Sequence, residues 1–293
     1  NREGLHTNAI YGFLSIYFKL LEDEKPDGVC VAFDLRAPTF RHLAYDGYKA
    51  QRKGMPEELA EQMPHLKRVL DAMNVTRLEC EGYEADDIIG TISRICAENG
   101  DICEIVTGDR DSFQLIANAG TNVLLVGTRG GKTETVRYDG EAVKEKYGLP
   151  PEMMIDLKGL MGDASDNIPG VQGIGEKTAV DLVQRFGGID AIYEQIETLD
   201  IRDSVRKKLL DGREDAILSR KLATIHQQVP VSFSAEKVAL SPYHREELLQ
   251  VFEDLEFKQF IARLGLDAME EEKPCAPIVE TKLYDGSLSE LLQ

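Results

Sequence analysis

The chain has 293 residues, 42% of them apolar, and a net charge of -18 from 52 acids against 34 lysines and arginines. That length supports one large or two smaller domains around a real core, and no stretch approaches the ~18 apolar residues of a membrane span. The start, Asn1-Arg2-Glu3-Gly4, has neither a signal peptide's apolar segment nor an initiator Met, so a fragment is expected. Cys30, Cys80, Cys96, Cys103 and Cys275 contain no Cys-x-x-Cys pair, which argues against a disulfide framework or zinc site and fits a reducing cytoplasm.

Residues 8 to 21 carry the apolar spacing of an amphipathic helix, and Val29 to Phe33 read as a short buried strand ending at Asp34. Next comes a stretch in which Arg36, Arg41, Lys49, Arg52 and Lys53 face only Asp46, with Phe40, Tyr45 and Tyr48 interleaved. From Pro56 the spacing of Leu59, Met63, Leu66, Val69, Leu70 and Met73 predicts a helix. A strand around Val75 to Cys80 leads into Glu84-Ala85-Asp86-Asp87, which opens a helix through Ile95 with its acids in the dipole-favoured first turn. Asp101 to Thr107 alternates as a third strand and delivers Asp109 and Asp111 just past its end.

Strand-helix-strand alternation implies an α/β fold with a mainly parallel central sheet flanked by helices. Asn122 to Val126 and Thr133 to Tyr138 read as a hairpin. After Pro150-Pro151 helices take over, at about 153 to 161, 176 to 186, 188 to 196, 202 to 210, 213 to 223 and 243 to 264. The expected organisation is a core over 1–150 with a basic arch near 36–65, a helical domain over 151–266, and an acidic linker at 267–293 that begins a further domain. From Asp267 on, seven acids oppose two lysines, so part of the negative balance lies in that tail.

Eight acids fall at strand ends or helix starts: Asp34; Glu84, Asp86 and Asp87; Asp109 and Asp111; Asp163 and Asp166. In a parallel sheet such ends face one crevice, and an all-oxygen donor set in excess of one ion's need points to two Mg2+ or Mn2+ ions. Gathering these acids would cost several kcal/mol without cations to neutralise them. Asp109 to Gln114 lacks the third ligand and the glycine of an EF-hand loop.

Val171-Gln172-Gly173-Ile174-Gly175-Glu176-Lys177-Thr178 places two glycines at a helix start, where bare backbone N-H groups can meet a phosphate. It reads as a helix-hairpin-helix that grips a nucleic-acid backbone without reading bases, through Gly173, Gly175, Lys177 and Thr178. Tyr48 would stack on bases of a single strand while Lys49 and Arg52 follow its phosphates. Gly127 to Thr133 only approaches a P-loop, because three residues rather than four precede Gly131-Lys132 and a strand-like segment follows.

Phe33-Asp34 with Thr39-Phe40-Arg41-His42 and Tyr48-Lys49-Ala50-x-Arg52, Gly82-Tyr83-Glu84-Ala85-Asp86-Asp87, Thr107-Gly108-Asp109-Arg110-Asp111, and Gly162-Asp163 through Thr178 together resemble the 5' nuclease (flap endonuclease) superfamily, most of all the amino-terminal 5' to 3' exonuclease domains of bacterial DNA polymerase I. The resemblance implies a PIN-like nuclease core followed by a helix-hairpin-helix domain. It implies that the eight acids bind metal, with Glu84, Asp86, Asp87 and Asp109 innermost. Lys49 and Arg52 would act at the scissile phosphate, with Arg41 at a basic position of the arch. It also implies a K+ ion on hairpin carbonyls, fusion to polymerase domains, a monomer, and a cytoplasmic role on DNA 5' ends, flaps and RNA-DNA primer junctions in replication and repair.

Members of that superfamily begin with a buried strand ending in Asp-Gly, a metal ligand, before the segment matching Asn1. The expectations are therefore a sequence truncated at its start or an impaired enzyme acting as a structure-selective DNA-binding module. An RNA-cutting relative is the third class.

Overall fold

A computed structural model describes residues 1–2, 4–130 and 132–267, so most of the expected tail, 268–293, lies outside the described residues. The first half runs α1 (Asn8–Glu24), β1 (Cys30–Ala32), α2 (Phe40–Ala44), α3 (Glu57–Ala60), α4 (Gln62–Ala72), β2 (Thr76–Leu78), α5 (Ala85–Asn99), β3 (Cys103–Thr107), a 3-10 helix (Arg110–Ala117), β4 (Thr121–Arg129), β5 (Lys132–Tyr138) and α6 (Gly140–Tyr147). Helices fill the second: α7 (Met154–Met161), α8 (Glu176–Phe186), α9 (Ile189–Glu194), α10 (Asp203–Asp211), α11 (Arg213–Ala223), α12 (Ala235–Val238), α13 (Arg245–Asp254) and α14 (Lys258–Leu264).

Local chemistry explains most boundaries. α1 buries Ile10, Leu14, Tyr17 and Phe18 on one face and stops where Lys25 turns left-handed at φ 48°. α5 ends on Gly100 at φ 79°, where a side chain would be strained. The helix expected from Pro56 divides at Glu61, and Pro64 is tolerated because it lies in the first turn of α4. The helix expected over 243–264 also divides. In one continuous helix Phe257 would point about 140° away from Phe252, whereas the break at Glu256 (φ 59°) lets Phe252, Leu255, Phe257 and Phe260 all enter the core.

The strands form two sheets rather than the single one expected. β1 and β2 run parallel with Val31 opposite Arg77. β3 and β4 run parallel with Ile105 opposite Val123, and β5 closes the second sheet antiparallel to β4. α5 packs against both β1 and β3 and ties the sheets together. Gly127 and Thr128 lie on β4 opposite Glu134 and Thr133 on β5, strands rather than the start of a helix, so the likeness to a P-loop is only in sequence.

Two large apolar clusters cross the midpoint of the chain. One joins Ile105, Phe113 and Val123 to Leu157, Leu160, Leu182 and Ile192. The other packs α13 and α14 back on α1 and α4 through Phe18, Leu70, Phe252 and Phe260, so the last two helices of the expected second domain complete the first half's core. Cys30, Cys80, Cys96 and Cys103 are free thiols, and no helix among the described residues is long and apolar enough to cross a membrane.

The loop after α7 turns on glycine. Gly170 has φ 61°, and a Cβ there would lie 2.2 Å from the backbone nitrogen of Gly162. Gly173 has φ 78°, but its nearest obstacle is the mobile end of Lys208. Gly170→Ala is expected to destabilise the fold by about 3 kcal/mol and Gly173→Ala by only about 1–2 kcal/mol; urea unfolding midpoints measure the difference.

Candidate metal centre

The basic stretch folds onto the acids. Arg41, on α2, is 2% exposed and spends every donor internally. Its Nη1 and Nη2 bind the two carboxylate oxygens of Asp87 at 2.8 and 2.7 Å, and Nη1 reaches Glu84 Oε2 at 3.1 Å. Nε and Nη2 donate to the carbonyls of Leu222 and Thr224, both at 2.8 Å. Asp87 also accepts from the backbone N-H groups of Glu84 and His226. Fully buried and with both oxygens engaged, Asp87 is held as a structural anchor, an arrangement the sequence expectation of a metal ligand did not include. Arg41 is likewise held within the fold.

The turn after α2 lies on the loop after α7. Lys49 adopts φ 52°, rare outside glycine, and its N-H donates to the Asp166 carbonyl at 2.8 Å. Asn167, at φ 56°, returns its side-chain amide to the Gly47 carbonyl at 2.7 Å. Lys49 Nζ meets Glu84 Oε1 at 2.7 Å, and the half-exposed Arg52 pairs with Asp166. The Tyr48 hydroxyl donates to Glu84 Oε2 at 3.0 Å, and burial, with Glu84 alongside, raises its pKa far above the ordinary range. A ring only 4% exposed cannot stack on a base, so Tyr48 is a positioning group for Glu84 rather than a DNA contact.

Asp34, Asp86 and Asp109 behave differently, since none of them makes an ion pair among the described residues. Asp34 Oδ1 caps the N-H of Ala85 at 2.7 Å, and Asp109 Oδ1 caps that of Asp111 at 2.9 Å, which leaves each a second oxygen. Burial pushes Asp86 up to about 7, with Asp109, Asp34 and Glu84 adding repulsion that Lys49 only partly offsets. A carboxylate so disfavoured by burial and by its acidic neighbours is where a cation gains most.

A third arrangement was not foreseen. Lys158, from α7, places Nζ 2.7 Å from Asp111 Oδ1 and also bonds Asp163 Oδ2. Asp163 Oδ1 accepts from the Ser165 N-H and hydroxyl at 2.8 and 2.7 Å. The signal available in sequence was a single lysine in the otherwise apolar run Leu157 to Met161, five residues before Asp163. Arg41, Lys49, Arg52 and Lys158 draw the other carboxylates into separate pairs, and no group of three acid, imidazole or thiol side chains among the described residues holds a metal geometry as it stands. The eight acids expected as ligands stand as one cation-free group of three beside two cation-filled groups.

On the same chain Gly175 opens α8 with free space at its Cα, followed by exposed Lys177 and half-buried Thr178. Lys208 donates to the Gly173 carbonyl at 3.0 Å.

A family model described as 5'-3' exonuclease, N-terminal resolvase-like domain, matches residues 1–148, and one described as 5'-3' exonuclease, C-terminal SAM fold, matches residues 149–246. The chain belongs to the 5'-3' exonuclease family. DNA polymerase I of Bacillus subtilis (strain 168) is 44% identical over 273 residues, 93% of this chain and 31% of that protein. DNA polymerase I of Bacillus caldotenax is 43% identical over 292 residues, 100% of this chain and 33% of that one, so the chain spans about a third of these curated relatives. In fold it is similar to the T5 5'-exonuclease solved with bound zinc (TM-score 0.65, 20% identity, 87% of this chain and 93% of that one). It is also similar to the catalytic core of Rad2 solved with a DNA substrate (TM-score 0.58, 17% identity, 91% and 86%).

Within this 5'-3' exonuclease fold two outcomes are expected. Asp86 is protonated at low pH in folded and unfolded chains alike, but between its ordinary 3.8 and about 7 only the unfolded chain ionises readily. Metal-free protein should therefore lose stability as pH rises through that window, and Asp86→Asn should flatten the dependence in thermal melts taken from pH 4 to 8. Arg41→Met strands the buried Asp87 charge and is expected to cost about 3–5 kcal/mol in urea unfolding. Arg41→Lys, lacking the two-pronged fork, should recover less than half of that loss.

Proposed function

We propose that the chain is a structure-selective 5' to 3' exonuclease and flap endonuclease that hydrolyses phosphodiesters of DNA, and of RNA primers, at 5' ends during replication and repair. Mg2+ or Mn2+ is the proposed cofactor. The carrying observation is Asp34, Asp86 and Asp109 left without a cation, Asp86 raised to about 7, beside Lys49 and Arg52, which already pair with carboxylates. The oxygen-only donor set fits a hard divalent ion, and Asp34, Asp86 and Asp109 would hold it, with Glu84 alongside.

A divalent ion bound there supplies activation of a water and neutralisation of charge on the departing 3' oxygen. With an ion bound, Asp34, Asp86 and Asp109 would all be held ionised, Asp86 losing the proton that burial and its acidic neighbours favour in the metal-free site. Lys49 and Arg52 would exchange Glu84 and Asp166 for the oxygens of the scissile phosphate, a swap of one anion for another that leaves their charge satisfied. The N-H groups at Gly175 to Lys177 and the Lys177 ammonium would take a duplex phosphate at the start of α8. A K+ ion at the hairpin would have to displace Lys208 from the Gly173 carbonyl.

The polymerase I relatives support fusion to polymerase domains and a bacterial cytoplasmic setting, and a monomer engaging one flap or primer junction is the simplest assembly. Cleavage of a labelled 5'-flap duplex should require Mg2+ or Mn2+, and Asp86→Asn or Asp109→Asn should lower the rate at least about 100-fold. Tight flap binding with no product in either ion would instead identify a DNA-binding module, and preferential cutting of an RNA hairpin would move the chain to the RNA-directed class.

A further inference from the structure

Asp111 and Asp163 come from different halves of the chain: one opens the 3-10 helix after β3, the other follows α7. Their side chains are 20% and 13% exposed, and the ammonium between them belongs to a lysine only 21% exposed. Asp163 has both oxygens occupied, by Lys158 and by Ser165. Mg2+ demands six oxygens at about 2.0–2.1 Å, and it cannot enter between two carboxylates already closed on a nitrogen. We propose that Lys158 is a tethered cation that fills the Asp111–Asp163 position, so that one divalent ion binds tightly at Asp34, Asp86 and Asp109 and a second binds only by displacing the Lys158 ammonium.

The inference rests on the metal-dependent reading above and adds to it a residue that sets how many ions bind. One ammonium carries a single positive charge against two carboxylates, so a second ion is not forbidden. The contrast with Arg41 is instructive. A guanidinium gripping Asp87 through two parallel bonds in a sealed site is permanent, whereas an ammonium on a flexible four-carbon stem with a fifth of its surface exposed is exchangeable. Lys158 is a positioning residue in this scheme and touches no substrate.

Mn2+ binding to the whole chain at pH 8, followed by electron paramagnetic resonance and calorimetry, tests the proposal. Wild type should show one tight Mn2+ and a second much weaker one. Lys158→Met, which keeps the stem and removes the charge, should tighten the second by about tenfold or more without moving the first, and Lys158→Arg should restore the wild-type pattern.

A second measurement needs no variant. Reductive methylation read by mass spectrometry should find Lys158 protected at low Mn2+ and more reactive as the second ion binds. An unchanged or weakened second site in Lys158→Met, or labelling of Lys158 that ignores Mn2+, overturns the inference while leaving one tight site and the nuclease reading intact. Absence of any tight Mn2+ site in wild type overturns both.

Discussion

The bond set around Arg41 is what the rest of the site depends on. An arginine taken out of water carries a penalty of several kcal/mol, and here it is met by two carboxylates and two main-chain carbonyls. Those partners belong to the start of α5 and the end of α11, so satisfying one guanidinium fixes the orientation of the helical half against the strands. Asp87 completes the arrangement by accepting from the Glu84 and His226 N-H groups. With Asp87 immobile, the neighbouring Asp86 is held outward toward Asp34 and Asp109, where no cation meets it.

From that anchor the carboxylates divide by the cation available to each. Glu84 is shared by Lys49, Arg41 and Tyr48, Asp166 is held by Arg52, and Asp111 and Asp163 by Lys158. Asp34, Asp86 and Asp109 remain. The partition explains how a chain with a net charge of -18 can place these acids near one another. Most of the repulsion is cancelled locally by side chains of the same fold, and Asp86, which lacks such a partner, is raised first by burial and then by Asp109, Asp34 and Glu84. Remote surface acids contribute little at physiological salt, because charges beyond about 8 Å are screened.

The acid motifs were legible because their short spacings, set at strand ends and helix starts, carry position as well as chemistry. Glu84 to Asp87 could open only a helix, and the alternation of Ile102 to Val106 could deliver Asp109 only past a strand end. What could not be read was pairing across long separations. Arg41 lies 181 residues from Leu222, and the atom it meets there is a carbonyl that every residue type possesses. Within a basic stretch it looks like one more surface cation, and Tyr48 looks like one more exposed ring. Burial decided both, and burial follows from how the turn over Tyr45 to Arg52 docks on the loop carrying Asp166 and Asn167, a contact with no periodicity to announce it. The split into two sheets was hidden for a similar reason, since alternation marks a strand but not its neighbour.

The same pairing links the two kinds of binding that the proposed function requires. Lys49 cannot hold Glu84 and a phosphate at once, and Glu84 cannot turn to a divalent ion while it accepts from Lys49 at 2.7 Å. Each exchange therefore makes the other easier: a phosphate that takes Lys49 leaves Glu84 short of positive charge, and an ion that takes Glu84 leaves Lys49 short of negative charge. By thermodynamic reciprocity the two must favour each other to the same extent. Tyr48 stays on Glu84 throughout because its phenol, buried and with its pKa far above the ordinary range, remains a donor whichever cation is present. On the proposed function the Lys49–Glu84 pair would be the resting form of this part of the site, and the left-handed Lys49 backbone, held by Asp166, would keep the lysine where both exchanges can occur.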